Sequence, residues 1–161
     1  MRIFGAVLIV GAFSYIGFSV SGAMRRRARF WEEFIAAVQV LRTEICFAHT
    51  DMSRALTAAA DAGCRELFGA AAENLESRGM AESWKEAVNA LAMCGGDKAA
   101  LIAMGAGLGR SGEEGQRRQT EYMAERAARI RDEAENEYER RGVLIRRGAV
   151  LLGALAAVAL F

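Results

Sequence analysis

Residues 30–45 read FWEEFIAAVQVLRTEI, and the spacing of the apolar residues in this stretch predicts an α-helix. Apolar side chains recur at intervals of four, four, three and four residues, which places them on one side of a helix. They are Phe30, Phe34, Val38, Leu41 and Ile45. Nothing in the 161 residues alternates at period two over a useful length, and the chain contains no proline. The sequence therefore predicts an all-α fold.

Capping residues and glycines indicate how the helical part is divided. Asp51 is expected to cap a short second helix, and Gly79 is expected to end the third. Asp97 is expected to cap another short helix. The capping box Ser111–Glu114 is expected to begin a long final helix at about residue 112. The expected architecture is an antiparallel helical bundle.

The first 24 residues predict a transmembrane helix. Residues 3–24 contain no Asp, Glu, Lys or Arg. As a helix they span about 33 Å at ~1.5 Å per residue, which is enough to cross a bilayer. The small residues Ser21-Gly22-Ala23 are of the kind that signal peptidase accepts, so a cleavable signal peptide is the competing interpretation. The helix is expected to continue into residues 30–45 without a break.

Residues 148–161 predict a second, shorter transmembrane helix. These uncharged residues span about 21 Å, and a start at Val143 extends the span to about 28 Å but includes Arg146 and Arg147. A C-terminal helix buried in a soluble core is the competing interpretation. The predicted domains are a transmembrane helix at 1–24, a helical bundle at 25–147 and a short transmembrane helix at 148–161, with 143 as the alternative start.

Arginines indicate the orientation of the chain in the membrane. Only Arg2 lies outside the two apolar segments, whereas their inner ends carry Arg25, Arg26, Arg27, Arg29, Arg140, Arg141, Arg146 and Arg147. Because positive flanks stay in the cytoplasm, residues 25–147 are expected to be cytosolic and both termini to lie across the cell membrane. Attraction to anionic membrane lipid accounts for these flanks. Residues 25–147 hold 20 basic and 20 acidic residues, which gives no reason to expect nucleic acid as a partner.

The residues that could carry chemistry do not form a catalytic set. His49, the single histidine, has no cysteine or carboxylate three or four residues beyond it. Residues 107–112 match the dinucleotide fingerprint G-x-G-x-x-G, but no predicted strand precedes them. Glu44 is expected to form a structural ion pair with an arginine. Three cysteines lack metal-ligand spacing and are expected to be reduced and buried: Cys46, Cys64 and Cys94. We therefore expect no enzyme activity, no catalytic residue, no cofactor and no metal.

The final helix carries the candidate docking surface for a partner. An acidic block lies there between basic residues and consists of Asp132, Glu133, Glu135, Glu137 and Glu139. Such charge patterning steers association between proteins. A solvated helix face with ion pairs between residues four apart is the default interpretation of the run from Arg126 to Arg141, and docking of a partner is the competing one.

Three short stretches of the chain form a distinctive combination. They are LRTEI at residues 41–45, Leu67-Phe68 through Gly79 to Ser83-Trp84, and LGRS at residues 108–111 followed by Gln116. Together with the two apolar ends and the helical middle, they resemble the stage III sporulation protein AB family of endospore-forming bacteria. The resemblance covers essentially the whole chain.

This resemblance implies a function that the residues alone do not. The family is similar to the cytosolic helical domain of inner-membrane platform proteins of type II secretion and type IV pilus systems. The chain is then expected to be a non-enzymatic platform subunit of a secretion-like channel complex between mother cell and forespore, required for sporulation. Expected partners in the mother-cell membrane are other subunits of that complex and a secretion-type ATPase, and homo-oligomerisation stays open. A generic membrane-anchored helical adaptor outside sporulation is the alternative.

Overall fold

The computed structural model describes residues 2–142 and positions 144, 145, 147, 148 and 151, without the side chains of residues 2–10, 13, 14, 16 and 17. Its elements are α1 (Arg2–Cys46), α2 (Met52–Ala62), α3 (Arg65–Arg78), α4 (Met80–Ala90), α5 (Gly95–Gly105), α6 (Glu113–Glu137) and a π-helical segment (Tyr138–Gly142). No strand occurs in the described part of the chain. The predicted all-helical class is therefore confirmed.

The chain divides into two compact units. The terminal unit consists of Met1–Arg29 and Ile130–Phe161, and the bundle unit consists of Phe30–Arg129. Helix α1 contributes to both units, so the predicted continuation of the first helix into residues 30–45 is confirmed. The transmembrane boundaries proposed for residues 1–24 and 148–161 stay predictions.

Four aromatic side chains from three helices form the centre of the bundle unit. Trp31 and Phe34 of α1, Phe68 of α3 and Trp84 of α4 are all buried. The Phe34 and Phe68 ring centroids lie 5.7 Å apart, and those of Phe68 and Trp84 lie 5.4 Å apart. Edge and offset contacts of this kind add to the free energy that burial of the rings supplies.

Aliphatic side chains from the other helices surround this aromatic cluster. In the predicted α1 stripe, Phe34, Val38 and Leu41 are buried, whereas Phe30 and Ile45 are half-buried. Further fully buried side chains are Leu56, Leu67, Leu101, Met104, Leu108 and Met123. The helical period of apolar residues in the sequence therefore predicted which side of α1 packs into the core.

Two glycines allow close approach between elements of the bundle unit. A Cβ on Gly105 would overlap the Trp84 indole and lie 2.5 Å from its Cε2. A Cβ on Gly63 would lie 3.0 Å from the carbonyl carbon of Glu33. Both distances are shorter than van der Waals contact, so α4 packs on α5, and the α2–α3 turn packs on α1, because these residues have no side chain.

Two of the four predicted helix ends are confirmed. The Asp51 carboxylate accepts a hydrogen bond from the Ser53 amide at the start of α2. Gly79, with φ of 77°, ends α3, and its amide donates to the Leu75 carbonyl. This positive φ is a conformation that glycine adopts at low cost.

At the other two helix ends the predicted capping residue is wrong, although the final helix begins within one residue of the predicted position 112. Helix α5 begins at Gly95 after an N-cap at Cys94, so Asp97 lies in its first turn, where a carboxylate interacts favourably with the helix dipole. Helix α6 begins at Glu113, and Ser111 accepts a hydrogen bond from the Gln116 side chain. The residues that directly precede these helices are Cys94 and Gly112, and neither has a side chain that accepts a hydrogen bond from the helix amides.

In the terminal unit, the described part of α1 lies beside the π-helical segment. Arg27 Nη1 lies 3.4 Å from Glu137 Oε2, and a Cβ on Gly142 would meet Ser21 Oγ at 3.4 Å. Arg146 and the C-terminal residues 152–161 lie outside the described residues. Where the structure is described, none of its helices combines the length and the apolar character needed to cross a membrane.

Candidate docking surface

The predicted acidic block lies on the last turns of α6 and the first residues of the π-helical segment. Four of its five carboxylates are exposed, and Glu137 is half-buried. Glu137 lies three residues after the buried Ala134, which turns its side chain toward the covered side of the helix. The five acidic residues therefore point in different directions around the helix axis and do not form a single row along it.

Two members of the block already have partners within the terminal unit. Glu137 lies 3.4 Å from Arg27 and 3.8 Å from Arg141, and Asp132 lies 2.6 Å from Arg131. Among the described residues, no cation lies within ion-pair distance of the other three, which are Glu133, Glu135 and Glu139. All three carboxylates are exposed.

Three acidic residues in the earlier turns of α6 differ from these carboxylates because each has an arginine as ion-pair partner. Glu114 lies 2.8 Å from Arg117, Glu121 lies 2.8 Å from Arg42 of α1, and Glu125 lies 4.0 Å from Arg129. The hydrogen bond and the charge of Arg117 lower the pKa of the Glu114 carboxyl. The solvated-face interpretation concerns the run from Arg126 to Arg141, in which Glu137 and Arg141 form a pair four residues apart.

An open depression includes one of these three carboxylates, Glu133. It has a volume of about 470 Å³ and is lined by Glu133, Asn136, Glu137, Arg140 and Arg141. Because both signs of charge line it, the depression suits a polar protein side chain better than a small apolar ligand.

The predicted basic flanks are largely solvent-exposed. Arg25, Arg26, Arg29, Arg140, Arg141 and Arg147 are exposed or partly exposed, and Arg27 is half-buried against Glu137. Arg27 and Arg141 approach the same carboxylate from two different helices. The structure therefore brings residues of the two flanks, which lie more than 100 positions apart in the sequence, together in the terminal unit.

The LRTEI stretch joins α1 to α6 and to the following loop. Arg42 Nη2 lies 2.8 Å from Glu121 Oε1. Glu44 does not pair with an arginine within the described part of the chain; it accepts a hydrogen bond of 2.8 Å from Thr50 Oγ1. The prediction of an ion pair for Glu44 is therefore wrong, because the chain turns back after α1 and places the Thr50 hydroxyl next to this carboxylate.

The LGRS stretch and Gln116 form a closed loop before α6. The Gly109 amide donates to Gln116 Oε1 at 3.2 Å, and Gln116 Nε2 donates to the Ser111 carbonyl at 3.1 Å. Gln116 is buried and Gly109 has φ of 73°. The fingerprint-like glycines therefore belong to a helix–loop–helix connection, whose polar groups bond to each other, and not to a strand–loop–helix nucleotide site.

The Ser83-Trp84 pair anchors α4 in the core. Trp84 Nε1 donates a buried hydrogen bond of 2.8 Å to the Leu101 carbonyl of α5. Ser83 is buried, and its hydroxyl has no hydrogen-bond partner among the described residues. Each of the three family-like stretches thus contributes contacts between elements of the bundle unit.

The histidine and the cysteines do not form a reactive centre. His49 Nδ1 lies 3.6 Å from the exposed Glu113, and the described residues contain no group of three potential metal ligands. Cys46 is buried, Cys64 is half-buried and Cys94 is exposed, so the expectation of three buried thiols is wrong. Cys94 is exposed because it lies in the α4–α5 connection. Burial raises the pKa of the Cys64 thiol to about 12.

Several structurally important residues carried no recognisable signal in the sequence. The Glu121 carboxylate and the Gln119 amide contact other elements from surface-like positions of α6. Gly105 lies directly against the Trp84 side chain, although the two residues are 21 positions apart in the sequence. Helical periodicity identifies the buried side of one helix but not which residue of another helix lies opposite.

Comparison with known proteins supports the resemblance found in the sequence. The family model described as stage III sporulation protein AB matches residues 2–161. No curated protein and no solved structure matches the chain. The matched family is a sporulation family and not a known enzyme family, which gives this protein a role in sporulation. A match over nearly the whole chain shows that it belongs to the stage III sporulation protein AB family.

Proposed function

We propose that this chain is a non-enzymatic platform subunit of a secretion-like channel complex between mother cell and forespore. Its family membership supports a role in sporulation, and the similarity of that family to secretion and pilus platform proteins supports the kind of complex. The observation that carries the proposal is the group of exposed carboxylates at the end of α6 that have no ion-pair partner among the described residues. A membrane-anchored adaptor outside sporulation has no comparable support.

Anchoring in the mother-cell membrane is supported by exposed apolar side chains in the terminal unit. Among the described side chains of this unit, six large apolar ones have substantial exposure: Tyr15, Phe18, Val20, Leu144, Ile145 and Leu151. Soluble monomers rarely keep contiguous apolar surface in water. The exposed arginines that follow Tyr15 and Phe18 along α1 are typical of the cytoplasmic end of a membrane helix.

A scaffold role is supported by the polar residues of the bundle unit. Arg42, Gln116 and Trp84 each use their polar side-chain atoms to join elements of this unit. A catalytic residue would instead direct its polar atoms toward a substrate. We therefore propose that these residues keep the bundle rigid while the carboxylates of α6 contact a secretion-type ATPase or a second membrane subunit.

Charge reversal on α6 tests the proposed docking. The variant combines Glu133→Lys, Glu135→Lys and Glu139→Lys, and it leaves out Glu137 because Glu137 pairs with Arg27 and Arg141. We expect a folded, membrane-associated protein that fails to recruit its complex and blocks spore formation. Wild-type recruitment and spore counts would show that these carboxylates are only a solvated face.

A matched control separates docking from net charge. Asp61→Lys, Glu73→Lys and Glu76→Lys change the charge of the bundle unit by the same amount on solvent-accessible positions of α2 and α3. We expect this control to sporulate normally. If both triple variants block sporulation equally, the effect is one of total charge, and the docking surface is not the one proposed.

A further inference from the structure

One side of α1 carries exposed aromatic residues followed by arginines of the first basic flank. Tyr15 and Phe18 are 76 % and 56 % exposed, and Arg25 and Arg29 are exposed further along the same side. The intervals between Tyr15, Phe18, Gly22, Arg25 and Arg29 are three or four residues, so these positions follow one row of the helix. This row changes from aromatic to basic over the seven residues from Phe18 to Arg25, which is about 10 Å.

The position of Arg26 matches this change of character. Its Nη1 lies 3.4 Å from the place that a Cβ on Gly22 would occupy. The guanidinium therefore extends one turn back toward the apolar part of α1, over a residue without a side chain. Helical side chains lean toward the helix N-terminus in general, and here the guanidinium lies at the level where the apolar part of α1 ends.

The second flank shows the same sequence of basic and apolar side chains. Arg140 and Arg141 are exposed, and Leu144 and Leu151 are 69 % and 65 % exposed. Arg27 and Arg141 lie on either side of the Glu137 carboxylate, so the two flanks meet at one level of the terminal unit. We call this group of arginines the basic collar; it consists of Arg25, Arg26, Arg27, Arg29, Arg140, Arg141 and Arg147.

We propose that the basic collar binds the phosphate headgroups of anionic phospholipids, and that this chain selects such lipids over zwitterionic ones. The proposal rests on the proposed membrane anchoring. The collar holds seven arginines, of which Arg27 and Arg141 pair with Glu137, and guanidinium groups bind phosphate oxygens through paired hydrogen bonds. The adjoining aromatic and aliphatic side chains contact the acyl region, so a phospholipid satisfies both parts of the surface.

Lipid binding to the full-length chain tests this proposal. The protein is held in zwitterionic detergent micelles, dioleoyl-phosphatidylglycerol is added, and bound lipid is counted by native mass spectrometry. Dioleoyl-phosphatidylcholine and inorganic phosphate are added in parallel. We expect phosphatidylglycerol to bind at least tenfold more tightly than phosphatidylcholine, with the difference reduced in high salt because salt screens exposed charges. Inorganic phosphate is expected to compete weakly, since it has no acyl chains.

Variants of the collar identify the residues that hold the lipid. Each arginine near an anionic surface contributes about fivefold to binding, so Arg25→Gln, Arg29→Gln and Arg140→Gln together are expected to reduce phosphatidylglycerol binding at least tenfold. Changing the same residues to lysine is expected to restore most of it. The control Arg54→Gln, Arg65→Gln and Arg110→Gln removes equal charge from exposed positions of the bundle unit and is expected to bind as wild type.

The outcomes separate this proposal from the anchoring on which it rests. If the chain inserts into bilayers but binds both lipids equally, or if the control loses as much binding as the collar variant, lipid selection by the collar is wrong and anchoring stands. If the wild-type chain inserts into neither phosphatidylglycerol nor phosphatidylcholine bilayers, both proposals are wrong.

Discussion

Gly105→Ala is expected to destabilise the bundle unit, although alanine is the better helix former. The added Cβ would overlap the Trp84 indole, with 2.5 Å to Cε2 and less to Nε1. Trp84 is buried between Phe34 and Phe68 and donates its hydrogen bond to Leu101, so the ring has no room to move away. The methyl group must therefore displace the indole or separate α4 from α5.

The size of the effect follows from three contributions. Overpacking of a filled core costs about 1–3 kcal/mol, and loss of the buried indole hydrogen bond costs about 1 kcal/mol. Replacing glycine by alanine in a helix stabilises the helix by about 1 kcal/mol. The expected net loss in the free energy of unfolding is about 1–3 kcal/mol. Gly96→Ala in the same helix has nothing within 4 Å of its new Cβ, so it is expected to be neutral or slightly stabilising.

Denaturant unfolding of the full-length protein in detergent micelles measures this difference. Tryptophan fluorescence reports it directly, because Trp31 and Trp84 both lie in the aromatic cluster. In a Trp84→Phe background the smaller ring leaves space, and the cost of Gly105→Ala is expected to fall by at least about 1 kcal/mol. Equal stability of Gly105→Ala and Gly96→Ala, or an undiminished cost in the Trp84→Phe background, would refute the described packing of α4 on α5.

Three further predictions concern other contacts. Gly63→Ala is expected to cost about 1–3 kcal/mol in urea unfolding because its Cβ would lie 3.0 Å from the Glu33 carbonyl carbon, a backbone atom that cannot rotate away; wild-type stability would contradict this. Glu137→Lys is expected to lower the melting temperature, since it removes the carboxylate that pairs with Arg27 and Arg141. Glu139→Lys is expected to leave the melting temperature unchanged. A larger decrease for Glu139→Lys than for Glu137→Lys would contradict the ion pairs. Burial raises the pKa of Cys64 from 9.0 to about 12, so the contribution of this thiol to the free energy of unfolding is complete below pH 9 and is lost as the pH rises toward 12. The Cys64→Ala variant should lack this loss of stability in an alkaline titration. An unchanged alkaline transition in the variant would show that another group causes it.

Local patterns predicted the class of the fold and the buried side of its helices. The interval of apolar residues in α1 identified Phe34, Val38 and Leu41 as core, and Gly79 was recognised as a helix end, because both depend on neighbouring residues. Asp97 and Ser111 were assigned as caps by the same local rules, but other residues of the chain determine where α5 and α6 begin. Local capping rules select Asp and Ser, whereas the residues that directly precede these helices are Cys94 and Gly112.

Contacts between distant residues could not be predicted from one sequence. The Arg42–Glu121 pair joins positions 79 residues apart in an exposed, charge-rich helix, where many other pairings were equally compatible with the sequence. The acidic block was recognised as a group, but the sequence could not separate Glu137, which pairs with Arg27, from the three carboxylates that have no ion-pair partner in the described part of the chain. Which carboxylate is paired depends on the three-dimensional structure, and it decides which residues a docking experiment should alter.

The exposed thiol of Cys94 offers a direct test of the proposed orientation in the membrane. Cys46 is buried and the pKa of Cys64 is raised to about 12, so a maleimide at neutral pH is expected to react at Cys94. In intact cells an impermeant maleimide should leave the protein unlabelled, and it should label the protein after lysis. Cys94→Ser should abolish the labelling. Labelling of Cys94 in intact cells would reverse the proposed topology.

Site-specific photo-cross-linking in sporulating cells tests the platform role most directly. A photoreactive residue is introduced in place of Glu135, in the acidic surface, or in place of Glu76, a solvent-accessible control position on α3. The proposed function predicts that position 135 cross-links to the secretion-type ATPase or to a second membrane subunit of the sporulation complex, and that position 76 does not. Absence of these products at position 135, with normal incorporation into the membrane and normal sporulation, would contradict docking through the end of α6.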